Sequence, residues 1–92
     1  MKITESTVDH ILRSEDIESL LQHGAPTDEY SHEASSIVSA IALLDQNNLT
    51  EELLTDLVLA IWARFFGPFS AGEIEMRMPA FKRVAHRMLS QR

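Results

Sequence analysis

Residues 49–67, which read LTEELLTDLVLAIWARFFG, decide the fold of this chain. Thr50 suits a helix N-cap, because its hydroxyl can accept a hydrogen bond from a free backbone N–H of the first turn. Glu51 and Glu52 follow, where the helix dipole favours negative charge, and Gly67-Pro68 is a stop signal. The stretch therefore predicts a central helix of about four turns.

The second half of this helix, within the predicted limits of about 50–66, is apolar on every side. Such a helix is surrounded by other elements, so this half should form the centre of the fold. Trp62 and Phe65 are large side chains expected there. Replacing either with Ala should cost about 3–5 kcal/mol and largely unfold so small a domain.

Apolar residues recur at helical spacing in three segments before the central helix. Residues 3–13 and 14–24 predict two helices or one kinked element, and residues 27–45 predict a third helix capped by Thr27 or Ser31. The face of the third helix opposite its apolar stripe carries mostly small polar side chains. It is a close-packing surface, a solvated surface or a flat docking face, and its residues are His32, Ser35, Ser36, Ser39 and Leu43.

Two signals follow the central helix. Ser70 and Glu73 have the spacing of a capping box, which favours a helical turn there, and Pro79 fits the first position of a final helix. No two segments of the sequence are predicted to pair as β-strands. The chain is therefore predicted to be one all-α domain over residues 1–92, a compact bundle of four to five short helices around the central one.

Composition excludes several classes of protein. With no cysteine among 92 residues, disulfides and thiolate metal sites are excluded, which agrees with a reducing compartment such as the cytoplasm. No apolar run is long enough to span a membrane, and the N-terminal residues lack the pattern of a signal peptide. The net charge is −6, yet residues 1–63 hold 12 of the 14 acidic side chains and 2 of the 8 basic ones.

The densest collection of functional groups lies in residues 27–33, which read TDEYSHE. Carboxylates and imidazole bind hard or borderline metals, so a small metal-dependent enzyme using this acidic loop is one hypothesis. The spacing matches no defined metal site, however, and acidic residues are also stabilised at a helix N-terminus. We therefore predict no metal, and Asp28, Glu29, Tyr30 and Glu33 become candidates for contacting a partner or anchoring the loop.

The sequence holds no catalytic motif: it lacks a nucleophile elbow, a Gly-rich phosphate loop and a catalytic cysteine. We predict a non-enzymatic protein without a cofactor. The basic face of the last helix, formed by Lys82, Arg83, His86 and Arg87, could bind phosphates. A pI near 5.0 argues against nucleic acid, so this face is predicted to be solvated or paired internally.

Arg64 is the one charge on the apolar side of the central helix. A guanidinium cannot remain there without a partner or an exit to water. Arg64 is predicted to anchor a carboxylate, with Asp16, Asp28, Glu29 and Glu33 as candidates. The alternative is an arginine that contacts a binding partner.

Two motifs and the aromatic end of the central helix suggest a family. They are Asp-Ile-x-Ser-Leu-Leu at 16–21 and Gly-Ala-Pro-x-Asp-Glu-Tyr-x-x-Glu-Ala at 24–34. They resemble the small bacterial helical family catalogued as domain of unknown function 1871, although Ile17 stands where proline is usual. The resemblance implies a bacterial helical bundle and no assigned activity.

These observations predict a small acidic binding module that acts through a protein partner or by self-association. A narrower hypothesis is an immunity or antitoxin-like protein that neutralises a basic nuclease-type toxin, since complementary charge speeds association. The rival from another class is the metal-dependent enzyme described above.

Overall fold

The computed structural model describes residues 3–91, which form four α-helices and one short 3₁₀ helix. The elements are α1 (Glu5–Glu15), α2 (Ser31–Ala42), the 3₁₀ helix Gln46–Asn48, α3 (Glu51–Phe66) and α4 (Ala71–Ser90). Within these residues there is no strand, so the prediction of an all-α bundle is confirmed. Of these helices, none combines the length and the apolarity that crossing a bilayer requires.

Helix α3 packs against both α2 and α4. Its predicted cap is confirmed, because Oγ1 of Thr50 accepts a hydrogen bond from the Leu53 N–H at 3.1 Å. Trp62 is completely buried, as expected. The expectation for Phe65 is wrong: its side chain is 43% exposed, because the buried residues of α3 end at Trp62 and Phe65 lies in the last turn beyond them.

The predicted helix over residues 14–24 does not form. Helix α1 ends at Glu15, and Asp16 adopts a left-handed conformation with φ of 43° before a series of turns. The Asp16 carboxylate accepts hydrogen bonds from the N–H groups of Leu21 and Gln22, at 3.1 and 3.0 Å. These bonds give the backbone an alternative to the helical ladder, which is why the helix stops.

Two predicted helix starts are also corrected. The N-cap of α2 is Tyr30, whose buried side chain makes no capping bond, so neither Thr27 nor Ser31 is the cap. The capping box of Ser70 and Glu73 is confirmed, but it begins one continuous helix that includes Pro79. Pro79 has no N–H, so α4 loses one backbone hydrogen bond, to the carbonyl of Glu75. Both residues are exposed, and the helix continues through the proline.

Candidate functional site

The segment between α1 and α2 is fastened to the core by the carboxylate of Glu18. Its Oε2 accepts hydrogen bonds from Nε1 of Trp62 at 2.7 Å and from Nε of Arg77 at 2.8 Å. Its Oε1 accepts one from Nη2 of Arg77, also at 2.8 Å. The arginine therefore grips the carboxylate with two parallel bonds, the strongest arrangement for such a pair.

Arg77 is held in place by an aromatic ring as well. The guanidinium carbon lies 4.4 Å from the centre of the Phe69 ring, within the range of a cation–π interaction. The hydrogen bonds from Arg77, together with that from Trp62, hold the pKa of the Glu18 carboxyl below its usual range. The same bonds raise the pKa of Arg77, so this pair stays ionised.

Tyr30 forms the second half of this arrangement. Its hydroxyl donates to Oδ1 of Asp16 at 2.6 Å and accepts from the backbone N–H of Glu18 at 3.3 Å. Its ring is buried against Trp62, with the two ring centres 5.5 Å apart. Burial and the bond to Asp16 raise the pKa of Tyr30 far above its usual value. Burial opposes ionisation of Asp16, but hydrogen bonds from Tyr30 and two backbone N–H groups outweigh it and lower that pKa.

We call these five residues the Glu18 cluster: Asp16, Glu18, Tyr30, Trp62 and Arg77. Its charged and hydrogen-bonding groups are paired with one another, so the arrangement joins three parts of the chain. Nothing in this geometry activates a nucleophile or a general base, which would need a group left free to react. Sequence reasoning missed Glu18 and Arg77. No local signal pairs them, because they lie 59 residues apart in the sequence.

Arg64 does not have the predicted role. It is exposed on α3 and, among residues 3–91, pairs with none of Asp16, Asp28, Glu29 and Glu33. The prediction of an internal pair is wrong, because the anchoring arginine is Arg77 of α4. At the position of Arg64, the guanidinium reaches water.

The other candidate residues divide into exposed and buried ones. Asp28 and Glu29 face solvent in the turns before α2, while Tyr30 belongs to the Glu18 cluster. Glu33 is only 5% exposed, and its Oε2 has no hydrogen-bond partner within the described part of the chain. Burial, with the nearby charge of Glu29, raises the pKa of the Glu33 carboxyl.

The side chains of the acidic loop are not grouped as metal ligands in the described part of the chain. Within residues 3–91, no three histidine or acidic side chains come together as metal ligands. Because Asp28 and Glu29 point to water while Glu33 is buried, the loop does not present its carboxylates to one point. The metal-dependent enzyme stays an alternative prediction to the binding module.

Three of the four residues on the basic face of α4 contact carboxylates of other helices. Glu15 of α1 accepts from Nε of Arg83 at 2.9 Å and from Nη1 of Arg87 at 3.5 Å. Nδ1 of His86 lies 3.1 Å from Oε2 of Glu51 at the start of α3. Internal pairing thus accounts for most of this face.

A surface groove of about 460 Å³ lies between α3 and α4. Glu51, Glu52 and Asp56 of α3 form its acidic wall, and Lys82 lines it from α4. The remaining lining residues are Thr55 and Met78. We call this feature the α3–α4 groove. An acidic wall beside apolar atoms suits a partner that carries both cationic and apolar side chains.

The small-residue face of α2 does not pack closely against another helix. His32, Ser35 and Ser39 are exposed, and Leu43 at its end is 88% exposed. The close-packing alternative is therefore wrong for these positions, and the face meets solvent.

Comparisons of this chain with protein-family models, with curated proteins and with solved structures found no match. The resemblance to domain of unknown function 1871 thus stays a prediction.

Proposed function

We propose that this protein is a non-enzymatic, acidic binding module that acts in the cytoplasm through a basic protein partner. The observation that supports the proposal most is the internal ion pairing of the basic residues. Of the six basic residues within residues 3–91, four form ion pairs with carboxylates of the same chain, and these are Arg13, Arg77, Arg83 and Arg87.

Most of the acidic residues, in contrast, do not form ion pairs with these arginines. Only three of the 14 carboxylates, those of Asp9, Glu15 and Glu18, pair with these arginines. Nine of the others are exposed, at Glu5, Asp28, Glu29, Asp45, Glu51, Glu52, Asp56, Glu73 and Glu75. Folding therefore pairs four of these six basic residues and leaves most of the negative charge at the surface, where it attracts a cationic protein and speeds association.

The α3–α4 groove is the part of this surface best shaped for contact. It combines three exposed carboxylates with the apolar side chain of Met78 and with Lys82. A basic partner also supports the immunity or antitoxin-like version of the proposal, in which the module covers the cationic surface of a nuclease.

The proposal is tested by capture followed by reconstitution. The tagged chain is used to isolate binding proteins from the cells that encode it, and each is then purified and mixed with the chain for calorimetry. We expect a basic protein that forms a one-to-one complex. Glu52→Gln combined with Asp56→Asn should weaken this complex at least about tenfold, because two groove charges are lost.

The matched control is Glu5→Gln combined with Glu29→Gln, which removes two exposed charges from residues that do not line the groove. It should change the affinity about threefold or less. Failure of every purified candidate to bind, or equal loss in both variants, would contradict the proposal.

A further inference from the structure

One flank of α3 carries a stripe of residues that the described helices leave wholly or partly exposed. Leu53 is 39% exposed, Ala60 and Arg64 are exposed, and Leu57 is half-buried. We call these four residues the α3 stripe. They lie on the side of α3 away from the α3–α4 groove, because helical geometry places them at least 40° beyond Asp56.

The spacing within the stripe is informative. Its members are four, three and four residues apart, which is the spacing of the apolar seam in a coiled coil. The core-facing residues of α3 occupy a different side of the helix, at Leu54, Thr55, Val58, Ile61 and Trp62. The stripe is therefore a second contact surface of α3 that the monomer leaves open.

We propose that the α3 stripe is the contact between two copies of this chain, which pair their α3 helices in antiparallel orientation about a two-fold axis. The inference goes beyond the proposed basic partner and does not depend on it, although one residue of the contact, Asp56, also lines the α3–α4 groove. The charges decide the orientation. A parallel pair would place the two Arg64 guanidinium groups together, which costs energy, whereas an antiparallel pair separates them.

In the antiparallel pair, the two-fold axis passes between residues 58 and 59, so Arg64 lies level with Leu53 of the second copy. Long side chains on a helix lean toward its N-terminus, which brings the guanidinium about three residues back along the axis. At that level lies Asp56 of the second copy. Both Arg64 and Asp56 are exposed, and within residues 3–91 neither forms an ion pair.

The two-fold symmetry repeats this contact at the other end of the seam, so both stripes and both charge pairs are satisfied together. Leu57 faces Ala60 of the second copy at the centre, where the small side chain lets the helices approach. Each chain carries a net charge of −6, but at about 0.15 M salt the repulsion between distant charges is screened over about 8 Å.

The experiment is sedimentation equilibrium of the full chain in about 0.15 M salt, from about 10 µM to about 1 mM, the range for a small, transient interface. The mass should rise from 10.4 kDa toward twice that value. Ala60→Glu places a charge in the seam, and Glu is itself a good helix former. This variant should stay monomeric over the same range. Ser39→Glu on the exposed face of α2 is the control and should associate like the parent chain.

A charge exchange tests the register. Arg64→Glu alone and Asp56→Arg alone should each remain monomeric, since each places like charges together, whereas an equimolar mixture of the two should form dimers. A parent chain that stays at 10.4 kDa up to about 1 mM would overturn the proposal, as would an Ala60→Glu variant that associates normally. A mixture that stays monomeric would overturn the antiparallel pairing. Circular dichroism confirms that each variant keeps its helices.

Discussion

Nε1 of Trp62 donates a 2.7 Å hydrogen bond to Oε2 of Glu18, across 44 residues of chain. The bond joins the centre of α3 to the irregular segment that follows α1. Because Arg77 of α4 binds the same carboxylate, three separate parts of the chain meet at one side chain. The position of residues 16–30 therefore depends on Glu18.

Replacing Glu18 with Gln should destabilise the protein by about 1–3 kcal/mol, because a half-buried Arg77 loses its counter-charge. Urea denaturation measures the change. Asp9→Asn is the control, since it breaks the more exposed pair with Arg13 within one helix and should cost about 0.5 kcal/mol or less. Equal losses in both variants would show that Glu18 has no special role.

The carboxylates of Glu18 and Asp16 make the stability of the protein depend on acid pH. The folded-state pKa values of Glu18 and Asp16 lie below their ordinary values of 4.5 and 3.8. Their contribution to stability is therefore present above these values and is lost as the pH falls through the lower folded-state pKa values. The stability difference between the parent chain and Glu18→Gln should accordingly shrink below about pH 4.5.

Glu33 should respond with the opposite sign. Its folded-state pKa is raised above 4.5, so its favourable contribution exists at low pH and is lost as the pH rises through the folded-state pKa. Glu33→Gln should therefore stabilise the protein at pH 7 by about 0.5–2 kcal/mol and have little effect near pH 4. Thermal melts at both pH values check this, with the exposed neighbour Glu29→Gln as control. A Glu33→Gln variant that melts lower at pH 7 would mean that the ionised carboxylate is stabilised.

Local signals in the sequence were sufficient for part of this fold. The caps at Thr50 and Ser70 act within one helical turn, so neighbouring residues reveal them. The stop at Asp16 was missed because its carboxylate bonds to N–H groups five and six residues later, in competition with a helix that the apolar pattern favoured.

The Glu18 cluster could not be found in this way. Glu18 and Arg77 are 59 residues apart, and their contact depends on how α4 packs beside the segment after α1. The expectation for Arg64 failed for the same reason: its place on an apolar flank suggested burial, but no helix of the described chain covers that flank.

Trp62 and Phe65 are three residues apart and should differ widely in their effect on stability. Trp62→Ala empties a completely buried site and should cost about 3–5 kcal/mol. Phe65→Ala should cost about 1.5 kcal/mol or less, because its ring is 43% exposed. Urea denaturation of both variants decides this, and similar losses would contradict the burial described for α3.

Tyr30 is the only tyrosine in the chain, so its ionisation can be followed directly by ultraviolet absorbance. Burial and the bond to Asp16 raise its pKa, so the phenolate should appear only as the protein unfolds in alkali. The absorbance change should therefore coincide with the loss of helical circular dichroism. Ionisation near the ordinary value of 10.0, while the helices remain intact, would contradict the contact with Asp16.

The central claim is that the exposed carboxylates recruit a basic protein. The most direct measurement is the rate of association with the captured partner as a function of salt, by stopped-flow fluorescence of a dye attached to the partner. We expect the rate to fall at least about tenfold between roughly 20 mM and 0.5 M salt. The fall should be clearly smaller for Glu52→Gln combined with Asp56→Asn than for the control that alters Glu5 and Glu29. A rate that does not change with salt would contradict the account.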